Sequence, residues 1–460
     1  MVFLLFFYSK IRSIEIRPLL SNQRAFSGFF IRRSLMKTES IFESQQAEKK
    51  EVVLVAVMEK GADSADREAS FDELERLAET AGASVYARMV QEKESPDART
   101  YIGSGKVQEL AELCKNGGIS MVIFDCELSP SQIKNLENDL GDIPVIDRSM
   151  LILDIFALHA TSGEGKLQVE LAQLKYTVPR LTGHGTELSR LGGGIGTRGP
   201  GESKLETDRR HVKRRMDALE DALEELAKNR AVQRNSRDRS GIFKVAIAGY
   251  TNAGKSTLLN HLTDAGILAE DKLFATLDPT TRKFELPNGE EILLTDTVGF
   301  IRNLPHHLIR AFRSTLDEVC YADAILVVVD ASDPESMAQI DVTRTLIDEL
   351  GASDKPVLFV YNKCDRGFAA HPTTPTDQNI YISALTGEGT DELVRRLEEL
   401  SSAGKKEYTF LFPMDKLGFI NTLYRDANVL DTEYTADGAV VKAICDSKTA
   451  GQLAKFIKTV

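Results

Sequence analysis

The sequence contains few cysteines and no long apolar run. Its five cysteines are scattered and form no C-x-x-C pair: Cys114, Cys126, Cys320, Cys364 and Cys445. This spacing argues against a zinc ribbon or a disulfide framework and suits a reducing compartment. No stretch approaches the roughly 18–20 apolar residues of a membrane-spanning helix. We therefore expect a cytoplasmic protein without stable membrane insertion, with a membrane-associated fraction as a secondary expectation.

Basic residues are in the minority, because 57 lysines and arginines face 69 acidic residues and the net charge is −12. The field of the whole chain therefore repels polyanions, and a nucleic-acid partner would have to meet a local basic patch. At 460 residues, the chain is long enough for about two to four domains.

Residues 1–45 stand apart from the rest of the chain. Basic residues recur from Lys10 to Lys37, where Glu15 is the only acidic residue. This composition is compatible with a targeting segment, although no clear A-x-A cleavage site follows. We favour the alternative that the start codon is placed too early and that Met36 begins the protein. We interpret residues 1–45 as a disordered extension and leave them out of the fold prediction.

From residue 52 onwards, strand-like apolar runs such as Met121–Phe124 alternate with helical patterns, and Ser129 fits the N-cap of one helix. The alternation predicts a parallel sheet and a first α/β domain over residues 50–150. Residues 102–106, I-G-S-G-K, resemble a phosphate-binding loop, but Thr100 stands where the first glycine would be. We interpret them as a turn that starts a helix rather than as a second nucleotide site.

Residues 151–240 show a different periodicity. Apolar residues repeat at steps of three and four from Leu167 to Val178, and again from Val212 to Leu226. Two such stripes predict an antiparallel helical hairpin with a coiled-coil seam, whose first helix closes at Pro179. The connecting tip, residues 183–201, is too rich in glycine to be helical or to pack a core. A loop of this length is usually functional or disordered.

Basic residues concentrate around this tip, while the following stretch of the second helix is acidic. In a chain of net charge −12, this cluster is the best candidate for contact with a phosphate backbone. The alternative is a solvated helix face joined to a linker. We predict that RNA is contacted by four arginines: Arg190, Arg198, Arg209 and Arg210.

The stretch KVAIAGYTNAGKST, residues 244–257, organises the central part of the chain. An apolar strand-like run ends at Gly249, and G-x-x-x-x-G-K-S then leads into a helical pattern. Here backbone N–H groups can face phosphate oxygens, and the helix N-terminus adds its positive end. Lys255 can reach the β- and γ-phosphates, and Ser256 can offer a hydroxyl group to Mg²⁺. We expect a doubly wound α/β domain over residues 242–402.

Three further motifs follow in order. In D-T-V-G, Asp296 can hold Mg²⁺ through water, and the N–H of Gly299 can meet a γ-phosphate. In N-K-C-D, Asp365 can accept hydrogen bonds from N1 and N2 of guanine, a donor pair that adenine lacks. Ser383 and Ala384 match the loop whose backbone N–H faces guanine O6. Together these motifs predict GTP rather than ATP as the ligand.

The stretch LFATLDPTTR, residues 273–282, lies where a switch loop belongs. Thr276, Thr280 and Thr281 are all chemically able to supply a hydroxyl group to Mg²⁺. Phe300 follows D-T-V-G, where many GTPases carry a glutamine that orients the attacking water. Intrinsic hydrolysis should therefore be slow, and a partner would complete the site. Two nearby arginines are also candidates: Arg282 and Arg302.

Taken together, these stretches resemble one family, the HflX GTPases, which are related to translation factors. The resemblance is carried by GYTNAGKST at 249–257, FATLDPTTR at 274–282, DTVGF at 296–300, NKCD at 362–365 and SALTG at 383–387. The stretches LQVELAQLKYTVPRLTG at 167–183 and GGGIGTRGPGESKLETDRR at 192–210 carry it into the hairpin. The resemblance spans residues 52–402, and the family shares a hydrophobic residue after D-x-x-G.

The resemblance implies a GTPase that binds the large (50S) ribosomal subunit and helps to split or rescue stalled ribosomes. The hairpin tip would insert near the peptidyl-transferase region. Thr276 is implied as the Mg²⁺ threonine, so that Ser256 and Thr276 hold the metal, and Lys255, Thr276 and Gly299 act in catalysis. The resemblance also implies ATP binding by the first domain, which residues 102–106 do not support.

The expected GTP contacts come from the motifs above. They are Gly249, Tyr250, Thr251, Asn252, Ala253, Gly254, Lys255, Ser256, Phe274, Ala275, Thr276, Leu277, Asp278, Asp296, Thr297, Val298, Gly299, Asn362, Lys363, Cys364, Asp365, Ser383, Ala384 and Leu385.

Two rival functions stay open at this stage. One is an RNA-remodelling ATPase run by the first domain, and the other is an RNA-binding module in which GTP is only a structural ligand. Residues 405–460 predict a small α+β domain whose role the sequence does not indicate. We expect a monomer.

Replacing the carboxylate that reads the base should relax nucleotide choice. Asp365→Asn replaces an acceptor for two guanine N–H donors with an amide, and hydrogen bonds to charged groups contribute about 1.5–3 kcal/mol. We expect GTP affinity to fall about 10–100-fold relative to ATP affinity. Competition binding with both triphosphates measures this ratio. An unchanged ratio in Asp365→Asn would remove the basis for assigning a guanine site.

Overall fold

The computed structural model describes residues 50–58, 64–183, 200–239, 242–263, 273–274, 276–369, 379–403, 405–435, 438–445 and 447–458. The chain divides into two units, Met1–Thr38 and Glu39–Val460, and all described residues belong to the second. The extension at 1–45 and the predicted RNA contacts Arg190 and Arg198 therefore lie outside the described residues.

The first domain is built on a four-stranded parallel sheet with strand order β2-β1-β3-β4. Its strands are β1 (Lys50–Met58), β2 (Ala83–Glu92), β3 (Met121–Phe124) and β4 (Val145–Asp147). The connecting helices are α1 (Ser64–Thr80), α2 (Ser104–Gly117) and α3 (Pro130–Asp139). Ser129 is the N-cap of α3, as predicted, and its hydroxyl accepts a hydrogen bond from the N–H of Gln132 at 3.3 Å.

A buried helix, α4 (Arg148–His159), follows β4. Its sequence is apolar on nearly every side, which is typical of a helix enclosed in a core rather than of an amphipathic arm. It packs in one continuous core with the first sheet and with part of the central domain. The hairpin therefore begins after α4, at α5 (Gly163–Thr177), and not at residue 151.

The hairpin consists of α5 and α6 (Pro200–Arg239). Leu174, Val212 and Leu219 form its seam, and the ion pairs Glu164–Arg230 and Lys175–Glu220 fix the antiparallel direction. The helix α5 ends at Thr177, just before Pro179, as expected, and a 3-10 helix, Val178–Gly183, follows it. The second helix starts at Pro200, inside the stretch predicted as non-helical, because proline is favourable at the first helical position.

The central domain is a six-stranded doubly wound sheet with strand order β10-β9-β8-β5-β7-β6, as predicted, and only β6 runs antiparallel to its neighbour. The strands are β5 (Phe243–Gly249), β6 (Thr280–Glu285), β7 (Glu291–Asp296), β8 (Ala324–Asp330), β9 (Val357–Asn362) and β10 (Asn379–Tyr381). The helices are α7 (Lys255–Thr263), α8 (His306–Ala311), α9 (Arg313–Tyr321), α10 (Ser336–Leu350) and α11 (Thr390–Ser402). The last strand ends at Tyr381, so Ser383 lies in the loop that follows, as expected. Because parallel strands end at one edge, Gly249, Asp296 and Asn362 meet there.

The C-terminal domain is a small α+β unit, as predicted. Its antiparallel sheet has the order β11-β13-β12, formed by β11 (Lys406–Phe412), β12 (Asn428–Thr435) and β13 (Gly438–Cys445). A 3-10 helix, Met414–Phe419, and α12 (Ile420–Asp426) lie between β11 and β12, and α13 (Ser447–Gln452) follows β13. Among the helices that the structure describes, none combines the length and apolar character of a membrane span.

Two valines on α6 test the hairpin seam. Val212 is 4% exposed in the seam, whereas Val232 on the same helix is 70% exposed. Val212→Ala removes buried methyl groups and should lower the free energy of unfolding by about 2 kcal/mol. Val232→Ala carries the same change in helix propensity and should shift it by less than about 0.5 kcal/mol. Denaturant unfolding measures both, and equal effects would contradict the packing of α5 on α6.

Candidate nucleotide site

The loop between β5 and α7 is held open by two glycines with positive φ. A Cβ at Gly249, where φ is 142°, would lie 2.2 Å from the carbonyl oxygen of Val328. A Cβ at Gly254, where φ is 94°, would lie 2.2 Å from Nδ2 of Asn362. Both the backbone conformation and the space therefore require glycine. The result is the tight strand-loop-helix turn that can surround phosphate oxygens with N–H groups.

Lys255 is enclosed at the first turn of α7. Its Nζ donates to the carbonyl oxygens of Gly249 at 3.3 Å and Tyr250 at 2.8 Å. Burial disfavours the ammonium form and lowers the pKa of Lys255 to about 8. A polyphosphate would restore the missing counter-charge, since each phosphate oxygen can replace one of these carbonyl acceptors.

Three side chains with oxygen atoms that could bind a metal ion lie close together beside this lysine. The hydroxyl of Ser256 donates to Oδ2 of Asp296 at 2.6 Å and lies 2.9 Å from the hydroxyl of Thr276. Oδ1 of Asp296 is buried and has no hydrogen-bond partner, and burial raises the pKa of this carboxyl group. An orphaned buried carboxylate oxygen next to two hydroxyl groups suits a hard divalent cation or its water, so these residues fit Mg²⁺.

Of the three candidate threonines, the geometry places Thr276 at this cluster. Thr281 lies in β6, where its hydroxyl contacts the hydroxyl of Thr295 at 3.0 Å. Thr280 opens the same strand and pairs with Asp296 through the sheet register. The threonine before β6 is therefore the one whose hydroxyl stands beside Ser256.

The other end of the site brings together three loops. Nδ2 of Asn362 donates to the carbonyl oxygen of Ala253 at 2.9 Å, and its Oδ1 accepts from the N–H of Ala384 at 2.9 Å. The hydroxyl of Ser383 donates to Oδ1 of Asp365 at 2.6 Å, which orients an exposed carboxylate. The side chain of Asn362 thus connects the phosphate loop to the loop of Ala384, which is predicted to contact guanine.

The remaining residues of these motifs pack around the same edge. Lys363 pairs with Asp330 at 2.7 Å, and the thiol of Cys364 donates to the carbonyl oxygen of Tyr361. The Thr251 N–H donates to the Phe300 carbonyl, the Thr297 hydroxyl donates to the Ile247 carbonyl, and Val298 is buried. Leu385 is 75% exposed, and Ala275 lies outside the described residues.

Position 300 offers no group to orient water. The Phe300 side chain is only 1% exposed and belongs to the core shared with the first domain. Both candidate arginines are engaged elsewhere, since Arg302 pairs with Glu335 and Arg282 donates to the carbonyl oxygen of Thr281. The predicted deficit in water positioning is therefore consistent with the geometry.

Four residues predicted to contact GTP send their side chains away from the phosphate loop. Phe274 and Leu277 are buried in the core. The hydroxyl of Tyr250 donates to the carboxylate of Glu73 and accepts from the N–H of Arg302 at 2.7 Å. The carboxylate of Asp278 accepts from the N–H groups of Thr161 and Ser162, just before α5. We therefore expect these four residues to contact a nucleotide through backbone atoms. A sequence motif does not show whether a residue binds through its backbone or through its side chain.

The structure also reveals a buried polar cluster that the sequence analysis missed. Arg148, at the start of α4, pairs with Glu73 and, at 2.7 Å, with Asp125. It also donates to the carbonyl oxygen of Arg302 at 3.0 Å. These partners are far apart in the chain, so no local pattern indicated them. Through Tyr250, the cluster joins the phosphate loop to the first domain.

Outside this site, Lys106 pairs with Glu109 at 2.9 Å and Gly103 is the N-cap of α2, as expected for a turn that starts a helix. Arg209 and Arg210 are exposed on α6. The other two predicted RNA contacts lie outside the described residues.

Four family profiles match consecutive parts of this chain. They describe a GTP-binding GTPase N-terminal region (residues 68–157), a GTP-binding GTPase middle region (159–237), a 50S ribosome-binding GTPase (244–363) and an HflX C-terminal domain (370–454). The last match extends the likeness beyond residue 402, where we had ended it.

Whole-chain comparisons agree with these matches. The chain is 49% identical over 405 residues to GTPase HflX of Lacrimispora saccharolytica, covering 88% of this chain and 95% of the relative. It is 41% identical over 374 residues to GTPase HflX of Escherichia coli, covering 80% and 87%. Among solved structures, it is similar to a complex of SsGBP with GDP, at 28% identity and a TM-score of 0.44, covering 77% of this chain and 99% of that one.

A methyl group at position 299 should disturb the phosphate end of the site. A Cβ at Gly299 would lie 2.7 Å from Cα of Thr251 and 2.9 Å from Nζ of Lys255. Because displacing a catalytic group by about 1 Å can cost 100-fold, Gly299→Ala should slow single-turnover GTP hydrolysis about 10–100-fold. The control is Gly418→Ala, whose Cβ meets no atom within 4 Å. Equal rates in the two variants would show that the crowding has no functional consequence.

Proposed function

Because this chain belongs to the HflX GTPase family, we propose that it acts on the large ribosomal subunit and uses GTP to split or rescue stalled ribosomes. The chain is a GTP-binding GTPase, as its homologues and its matched GTPase domain establish. The ribosomal partner, the outcome of hydrolysis and the use of Mg²⁺ are the proposed parts. The family description matched by residues 244–363 names the 50S ribosome.

The observation that carries the ribosomal proposal is the basic arm, defined here as the exposed surface of α6 around Arg209 and Arg210. The helix has 40 residues and is therefore about 60 Å long. Nearby lysine and arginine side chains at positions 213–215 are exposed as well. In a chain of net charge −12, such an arm presents positive charge at a distance from the acidic body, which favours contact with rRNA phosphates.

One end of the nucleotide site would bind the phosphates, and the other end would bind the base. The loop from Gly249 to Ser256 and the Lys255 ammonium group would hold the phosphates, while Asp365, oriented by Ser383, would select guanine. Ser256, Thr276 and Asp296 would hold Mg²⁺. When bound, the metal neutralises charge on the β- and γ-phosphates. Every one of these groups lies at the carboxyl edge of the central sheet, where nucleotides bind in this fold class.

Among the residues that the structure describes around the nucleotide site, none supplies a side chain that would activate water. Phe300 replaces a polar group after D-T-V-G and is buried. A group from the ribosome, or a rearrangement that the ribosome induces, would therefore complete the site. This deficit explains why hydrolysis should be slow in the free protein and fast on its partner.

The test is GTP turnover with and without purified subunits. We expect large subunits to raise the rate at least about tenfold, in line with the effect of completing a GTPase site from outside, while small subunits leave it unchanged. Lys255→Ala should abolish both rates. If large subunits do not stimulate turnover, the ribosomal proposal fails while the GTPase assignment stands.

Neutralising two arginines of the basic arm tests whether the arm itself contacts the large subunit. Arg209→Gln/Arg210→Gln should weaken binding to large subunits and lower the slope of log affinity against log salt by about one to two. Arg395→Gln/Arg396→Gln is the matched pair, because these adjacent arginines on α11 are engaged with Glu392 and Glu399. Equal losses in both variants would mean that binding follows overall charge and does not use the arm.

A further inference from the structure

The switch loop is fastened to the base of the hairpin by one carboxylate. Oδ2 of Asp278 accepts hydrogen bonds from the N–H and hydroxyl of Thr161, at 2.9 and 2.7 Å, and from the N–H of Ser162 at 2.6 Å. Its Oδ1 accepts from the hydroxyl of Ser162 at 2.5 Å. A carboxylate that accepts this many bonds at the positive end of a helix is strongly held.

A second anchor lies on the other side of Thr276. Phe274 is buried, and its ring packs edge-on against Phe156 with centroids 4.8 Å apart. Phe156 packs in the same way against Phe312. Phe156 and Thr161 are only five residues apart, at the end of α4 and the start of α5. The α4–α5 junction therefore holds the switch loop at two points.

These anchors leave Thr276 little freedom. It lies two residues after Phe274 and two residues before Asp278, and such short tethers restrict how far its backbone can move. Its hydroxyl lies 2.9 Å from that of Ser256, in the cluster that includes Asp296. The junction thus presents the threonine at the place where the metal and the γ-phosphate would be.

We propose that Asp278 is a positioning residue that holds Thr276 in the geometry for binding GTP, through its bonds to the N-terminus of α5. This inference rests on the proposed function, because it takes Thr276 as the Mg²⁺ threonine. It also links the switch loop directly to the hairpin, since Thr161 and the N-cap residue Ser162 immediately precede α5, the first helix of the hairpin. The alternative is a cap that stabilises α5 and has no bearing on nucleotide binding.

Gly165 allows the two roles to be separated. A Cβ at Gly165 would lie 2.4 Å from Oδ1 of Asp278, so Gly165→Ala should displace the carboxylate without altering it chemically. Alanine is a better helix former than glycine, but its Cβ would also lie 3.1 Å from the N-cap hydroxyl of Ser162, so thermal unfolding is measured alongside the affinities. Gly163→Ala is the matched control on the same helix, because its Cβ meets no atom within 4 Å.

The experiment measures affinities of the full-length protein for GDP and for a non-hydrolysable GTP analogue, both with Mg²⁺, together with thermal unfolding. Asp278→Ala and Gly165→Ala should each lower analogue affinity about tenfold or more and leave GDP affinity unchanged, as Thr276→Ala should. Gly165→Ala added to Asp278→Ala should cause no further loss, because the two act through one contact. Gly163→Ala and the exposed Asp354→Asn should match the unaltered protein.

Equal losses for GDP and the analogue in Asp278→Ala, or a lower unfolding temperature with both affinities unchanged, would overturn the positioning role and leave the ribosomal proposal intact. If Thr276→Ala does not affect analogue affinity, the threonine assignment in the proposed function fails, and the positioning role fails with it. If Gly165→Ala lowers analogue affinity further when it is added to Asp278→Ala, the positioning role is also overturned, since that further loss does not act through the carboxylate.

Discussion

The architecture depends on one buried cation, the guanidinium group of Arg148. Its side chain is 3% exposed and is held between the carboxylates of Glu73 and Asp125. A buried charge is tolerated only when it is paired, and removing one partner of such a pair costs about 3–5 kcal/mol. Tyr250 from the phosphate loop and the carbonyl oxygen of Arg302 complete the cluster. The first domain is therefore joined to both the phosphate loop and the segment after D-T-V-G.

An apolar core surrounds this cluster and continues through both domains. Residues of β1, α4 and the switch loop share it with Phe300 and one face of the central sheet. The first domain thus packs against the central domain through one continuous core. Because only three residues separate the end of α4 from the start of α5, the hairpin is rooted in the same core. The switch loop therefore contacts the base of the hairpin directly, through the hydrogen bonds that Asp278 accepts from Thr161 and Ser162.

Sequence patterns correctly predicted the elements that are determined by residues adjacent in the chain. The N-cap at Ser129, the strand Met121–Phe124 and the loop after β5 all depend on neighbouring residues, and the structure has them where the sequence placed them. The C-terminal domain was predicted as an element pattern but not as part of the family. Its strands carry no catalytic motif, and the match to an HflX C-terminal domain came only from comparison.

Local sequence patterns do not predict the directions of the side chains in the switch loop. Asp278 and Thr276 stand two residues apart in one motif, and the motif treats them alike as nucleotide contacts. In the structure, the Thr276 hydroxyl lies beside that of Ser256, whereas the Asp278 carboxylate faces the start of α5. The direction of each depends on what lies opposite, and for Asp278 that partner is more than a hundred residues earlier in the chain.

The amino-acid sequence by itself determined the nucleotide chemistry, because spacing along a short loop decides which groups can surround phosphates and guanine. It also determined the hairpin seam, since helical periodicity is a local property. Only the tertiary structure decided that Tyr250 enters the first domain, that α4 is buried and that Asp278 holds the hairpin base. Those outcomes follow from packing distant segments into one core, where a buried polar group must find its partner wherever the fold brings one.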